Sequence, residues 1–203
     1  MQDLADKGKR AQTEKEDVLL HNVRVEKGLL GQKSKLICNS VIPYQWEILN
    51  DQVPDAAPSH AIENLRIAAG EAEGEFHGMV FQDSDIAKWL EAVAYKLATD
   101  PDTELEKKAD WVIDLIEKAQ EDDGYFNTYF TIKEPDKKWT NLMECHELYC
   151  AGHMIEAAVA YYQSTGKRKL LDVMIKFANL IESKFGPEEE KVKGYPGHQE
   201  IEL

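Results

Sequence analysis

Thr140–Gly166 reads TNLMECHELYCAGHMIEAAVAYYQSTG. It is the longest helical stretch in the chain, and Gly166 closes it. The next stretch, KRKLLDVMIKFANLIESKFG, is a second helix closed by Gly186. The two make a hairpin, 141–165 with 169–185. An earlier hairpin pairs 84–98 with 102–120. Its first helix carries Ile86, Leu90, Val93 and Leu97 on one stripe, widened by Trp89 and Ala94, and stops before Pro101. Its second carries Leu105, Val112, Leu115, Ile116 and Ala119 inward. Helix hairpins in series bury their apolar faces by stacking on one another, as an open solenoid or a closed ring. The loops DDGYFNTYF and KVKGYPGHQE both follow the second helix of a pair, so they emerge at the same end. Both are rich in glycine, aromatic and polar residues, which favours a ring with a pocket at that end.

Outside the hairpins the pattern is weaker. Residues 1–17 are polar and charged and are expected to form a solvated arm, so the domain is taken to run over 18–203. LLHNVRVEKG alternates loosely and is expected to be a short N-terminal strand. Residues 31–41 fit strand or helix equally. PYQWEILN fits a short helix with Pro43 in its first turn. SHAIENLRIAAG fits a helix capped by Ser59 and ended by Gly70.

The net charge of −14 over 203 residues opposes binding to nucleic acid or an anionic membrane through bulk electrostatics. No run approaches the roughly 18 apolar residues of a membrane span. The polar N-terminus has no apolar segment of a signal peptide, and three cysteines make no disulfide framework. A reducing, cytoplasmic setting is the expectation.

The segment ECHELYCAGH, 144–153, concentrates histidine, cysteine and glutamate. On a helix, His146, Cys150 and His153 share one face and could reach one metal ion. Zinc would accept His and Cys donors, but it wants a further ligand or an open position, and no partner stands out. The plain reading makes Cys150 a small core residue and His153 a hydrogen-bonded helix contact, so no metal ligand is assigned here. The other reading is a sugar pocket, which needs hydroxyl partners and flat aromatic walls. Gln45, Trp46, Tyr125, Asn127, Tyr129, His146, Tyr195, His198, Gln199 and Glu200 supply both types. Taken singly, each also fits a loop aromatic or a capping group. Signatures of a serine hydrolase or a nucleotide-binding loop are missing.

IPYQWE (42–47), DSDIAKWLEA (83–92), DGYFNTYF (123–130), ECHELYCAGHMIEAAVAYYQSTGKRKLLDV (144–173) and GYPGHQEIEL (194–203) closely resemble glycoside hydrolase family 127, the β-L-arabinofuranosidase-like proteins. The resemblance implies an (α/α)6 barrel, a ring of six helix hairpins, and picks the ring over the solenoid. The expected fold is therefore all-α, with hairpins forming about half of such a barrel and a short N-terminal strand. It also implies removal of β-L-arabinofuranosyl residues with retention, by a cysteine thiolate held on zinc and a glutamic acid proton donor. Carried over by motif, His146 and His198 correspond to histidines that hydrogen-bond arabinose, and Gln45 to a third contact. The zinc ligands, nucleophile and proton donor belong to the later half of the ring. No position here matches them, so no catalytic residue and no cofactor is assigned, and zinc is expected only in a full-length member. The expectation is the sugar-binding first half of a glycosidase domain, inactive alone, with a carbohydrate partner and self-association through an uncovered edge. The alternative is a non-catalytic carbohydrate-binding or helical scaffold protein.

Overall fold

In the computed structural model, residues 22–202 are described. The arm expected over 1–17, and the first part of the expected strand, lie outside them. The rest of that strand is not formed: residues 23–26 run without regular structure, and the one bridge between extended segments among the described residues joins Phe185 and Val192. With no neighbouring strand to pair with, the loose alternation at Val23 and Val25 leaves both side chains exposed.

The elements are helices α1 (Gly28–Leu36), α2 (Ile42–Leu49), α3 (Ala61–Ala68), α4 (Asp83–Thr99), α5 (Thr103–Ala119), α6 (Thr128–Ile132), α7 (Glu147–Thr165) and α8 (Lys169–Lys184). A π-helical turn, Ile37–Val41, makes α1 and α2 one continuous run and settles the ambiguity of residues 31–41 as helix. Two 3-10 turns complete the set, Pro135–Lys137 and Gln199–Glu202.

The turn between α4 and α5 shows how local chemistry fixes a hairpin. Lys96 is buried at the last turn of α4 and donates to the backbone carbonyl and the carboxylate of Asp100. Pro101 cannot continue the helix. Asp102 then caps α5 by accepting from the Leu105 N–H at 3.1 Å. Gly166 ends α7 at φ 74°, a left-handed conformation that glycine adopts without steric penalty.

α4 and α7 make the most extensive contact in the molecule and form the inner layer. α5 and α8 pack on each other and on their own partners as the outer layer, while α2 packs on α4 and α3 on α5. The hairpins α4–α5 and α7–α8 therefore stand side by side as part of a hairpin ring, and α2 on α4 and α3 on α5 continue its two layers. Ala87 and Ala94 on α4, and Ala151, Ala157 and Ala158 on α7, are fully buried. Small residues let two inner helices approach closely, and Trp89, Leu90, Val93, Met154 and Tyr161 fill the flanks. The Trp89 ring sits 4.7 Å from that of Trp46 and donates its Nε1–H to the Ile42 carbonyl, which fastens α2 to α4.

α7 begins six residues later than the sequence pattern predicts. Asn141 accepts from the Glu144 N–H, forming a turn, and His146 takes φ 57°, a left-handed conformation. The helix starts only after that reversal. α3 departs in the same way: His60, at φ 58°, precedes it in place of a capping Ser59, whose N–H instead donates to Asp51.

Candidate functional site

The N-terminal ends of α4 and α7 lie together. Near both starts, Lys88 donates to the Tyr149 hydroxyl at 2.9 Å. Two buried carboxylates tie loops to this end. Asp83, at the start of α4, accepts from the Thr128 N–H at 2.7 Å and its hydroxyl at 2.6 Å. Glu147, 1% exposed at the start of α7, accepts from the Tyr125 hydroxyl at 2.6 Å and the Trp139 N–H at 2.8 Å. Burial raises the pKa of both carboxyls, against the lowering effect of these donors. The loop after α5 and the loop after α8 both reach this end, as their composition predicts.

The second loop brings His198 to His146. The rings are 4.9 Å apart, and the two Nε2 atoms are separated by 3.1 Å. His146 Nδ1 lies 2.5 Å from the Glu144 carbonyl. A carbonyl only accepts, so this nitrogen carries the hydrogen, and Nε2 of the neutral ring offers a lone pair. His198 must then donate its Nε2–H across the gap. Phe81 and Tyr149 flank His146 at 5.2 and 5.6 Å, and Tyr149 also lies 5.0 Å from His198. His198 is exposed and His146 half-buried, so the paired nitrogens open to solvent against an aromatic wall.

A hydroxyl both donates and accepts. One that replaces the ring-to-ring bond finds an acceptor on His146 and a donor on His198. This is chemistry suited to a polyol.

Other residues singled out in the sequence have different duties. Gln45 is exposed on α2 and makes no hydrogen bond among the described residues, so nothing ties it to the histidine pair. Trp46 packs between Trp89 and Trp111. Tyr125 is in the core. Asn127 is buried and caps α6 by accepting from the Phe130 N–H. Tyr129, half-buried, donates to Glu134. Tyr195 and Gln199 are exposed. The aromatic run 125–130 is thus mostly core, because Tyr125, Phe126 and Phe130 point inward.

The supposed common face of His146, Cys150 and His153 is not formed, because His146 precedes the helix. Cys150 is buried, and burial pushes its thiol well above the usual range. Among the described residues, the one group of three with metal-ligand spacing is His153, Glu156 and Glu200, and it contains no cysteine. Tyr149, Phe81 and Lys88 were missed in the sequence. Tyr149 had a usable signal, since it lies one turn before His153 on α7; Phe81, in a loop, had none.

Similarity to known proteins follows the same map. The family model for the β-L-arabinofuranosidase GH127 catalytic domain matches residues 22–203. This chain belongs to that GH127 family. A non-reducing end β-L-arabinofuranosidase of Bifidobacterium longum subsp. longum is 46% identical over 198 residues, covering 90% of this chain and 30% of the relative. A crystal structure of a GH127 β-L-arabinofuranosidase from Geobacillus stearothermophilus T6 superposes with a TM-score of 0.87 at 62% identity, over 89% of this chain and 28% of that one. A second solved GH127 β-arabinofuranosidase gives 0.80 at 34% identity, over 90% and 29%. The GH127 chain therefore spans under a third of the length of these relatives.

The zinc thiolate that the resemblance implies does not fit the residues described. Cys38, Cys145 and Cys150 are all free, burial raises the thiols of Cys145 and Cys150, and none of the three joins a metal-ligand group.

Proposed function

We propose that this chain is the sugar-gripping part of a GH127 glycosidase domain, with His146 and His198 hydrogen-bonding a β-L-arabinofuranosyl or related residue. One observation carries the reading: two histidines 52 positions apart in the chain meet at 3.1 Å, open to solvent beside the rings of Phe81 and Tyr149. Gln45 enters the proposal on its motif alone, as a contact the bound sugar would recruit.

The reading is binding without turnover by these residues alone. The chemistry that the resemblance implies needs an ionised thiolate and a carboxyl proton donor at the sugar, and burial raises the thiols of Cys145 and Cys150. The carboxylates near this pair have other ties: Glu144 accepts from Asn141, Glu147 is enclosed, and Glu200 pairs with His153. A non-catalytic carbohydrate-binding protein would share this geometry.

Calorimetry with L-arabinose, beside hydrolysis of p-nitrophenyl β-L-arabinofuranoside, tests the reading. Binding that is lost in His146→Ala and His198→Ala, with no hydrolysis, is the expected result. Binding unchanged in both variants, or hydrolysis by the purified chain, would overturn it.

We infer further that the chain self-associates through an uncovered edge of its helix stack, where apolar side chains stand in solvent. Tyr95 and Val159 are 45% and 40% exposed, a row of apolar surface that water disfavours. Light scattering should show species larger than a monomer, and a sharp monomer peak would contradict this. Among the described residues no helix is long and apolar enough to cross a membrane. Three free cysteines suit the reducing cytoplasm proposed as its setting.

A further inference from the structure

His198 lies in an irregular segment, is exposed, and makes its one side-chain hydrogen bond among the described residues to His146. Something else must hold its backbone. Upstream, the Gly197 N–H donates to the Leu142 carbonyl at 3.3 Å, and the segment passes close over Met143. Downstream, the turn Gln199–Glu202 lies directly on α7 at Gly152. A Cβ at Gly152 would stand 2.6 Å from the Glu200 carbonyl oxygen and 2.9 Å from the Ile201 nitrogen, closer than real contacts allow. Only glycine admits this approach.

The next residue on α7 completes the contact. His153 Nδ1 lies 2.9 Å from Glu200 Oε1 and 3.4 Å from Glu156 Oε2, close polar contacts whose angles fall outside hydrogen-bond geometry. The side chains of His153 and Glu200 are 14% and 19% exposed, so the pair is shielded from water. Between this pair and the histidine pair stands Tyr149. Its ring meets His153 edge-on at 4.6 Å and leans on His198 at 5.0 Å. Glu156 beside the pair, with Lys88, Asp85 and Glu91 on α4, completes the charged surroundings.

We propose that His153 and Glu200 are positioning residues: their pair, seated by Gly152, pins the Gln199–Glu202 turn to α7 and so holds the His198 ring against His146. The consequence for sugar affinity rests on the reading of the histidine pair given above; the ring geometry does not.

The test is side-chain NMR of the full chain with labelled histidines. In the wild type, ring protons of His146 and His198 should show a mutual nuclear Overhauser effect, with the His198 Nε2 nitrogen shifted from its free-imidazole value. Glu200→Ala and His153→Ala should abolish both signatures while circular dichroism stays native, because both side chains lie outside the buried α4–α7 core. Glu200→Gln, which keeps an oxygen and a donor for His153, should restore them. L-arabinose affinity should fall roughly tenfold in Glu200→Ala, the loss of about one positioning contact, and recover in Glu200→Gln. Ring signatures that persist in both alanine variants, or that are absent from the wild type, would overturn the proposal. Signatures that behave as stated in a chain that binds no arabinose would sustain the positioning role and sink the sugar reading.

Discussion

Helix α7 has two halves with different construction. From Met154 onward its inner face is small and apolar, pressed against α4 and α8, and its partners are dictated by periodicity. Around its start the contacts are polar: His146, just before the helix, and Tyr149 and His153 within it each meet a residue from a distant segment, while Glu147 is buried as a tie between loops. The first kind of contact is tolerant of exact partners, because any apolar surface of the right shape serves. The second is not, because each donor needs one acceptor in one place. Stability should therefore live in the α4–α7 seam, and recognition at the mouth.

Substitutions can separate the two. Trp89→Ala should have the largest effect, removing a fully buried ring that fastens α2 to α4; a loss of about 4 kcal/mol is expected in urea unfolding. A loss within experimental error would mean that α2 is not part of the cooperative core.

Glu147→Ala comes next, at about 3 kcal/mol, since it leaves the buried Tyr125 hydroxyl and the Trp139 N–H without their acceptor. It sharpens the contrast, because Glu147 and His146 are neighbours. His146→Ala should shift stability by only about 0.5 kcal/mol. Equal losses in the two variants would erase the distinction between enclosed ties and open recognition contacts.

The smallest effect concerns Glu156. Burial, then the neighbouring Glu200 and Glu91, raise its pKa from 4.5 to about 7. A carboxyl raised in the folded state holds its proton more tightly there than when unfolded. Its contribution therefore turns unfavourable as pH climbs from 4.5 through about 7. Glu156→Gln should raise the melting temperature at pH 8 and leave it unchanged at pH 4, as read by thermal scans at both values. A variant that melts lower at pH 8 would show that the carboxylate is welcome where it stands.

Much of the seam is legible in the amino-acid sequence. Ile86, Leu90, Val93 and Leu97 recur at helical spacing, and Pro101 and Gly166 mark ends in ways the backbone demands. The hairpins and their order follow from these signals. The start of α7 does not, because Asn141 and His146 stop a pattern that the apolar residues alone would continue. Tyr125 looks like a pocket wall in the sequence, since a glycine-rich aromatic loop is equally suited to lining a recess or plugging a core. Burial decides between the two, and burial is a property of the whole fold. The meeting of His146 and His198 is legible only through family motifs, since no periodicity links residues so far apart. The His153–Glu200 contact lies beyond both kinds of reading.

The most direct measurement is a double-mutant cycle on L-arabinose affinity, using His146→Ala, His198→Ala and the double variant. If one hydroxyl is held between the two rings, each single change removes most of the binding and the second removes little more. Affinities that fall independently and multiply in the double variant, or do not fall at all, would contradict a shared grip.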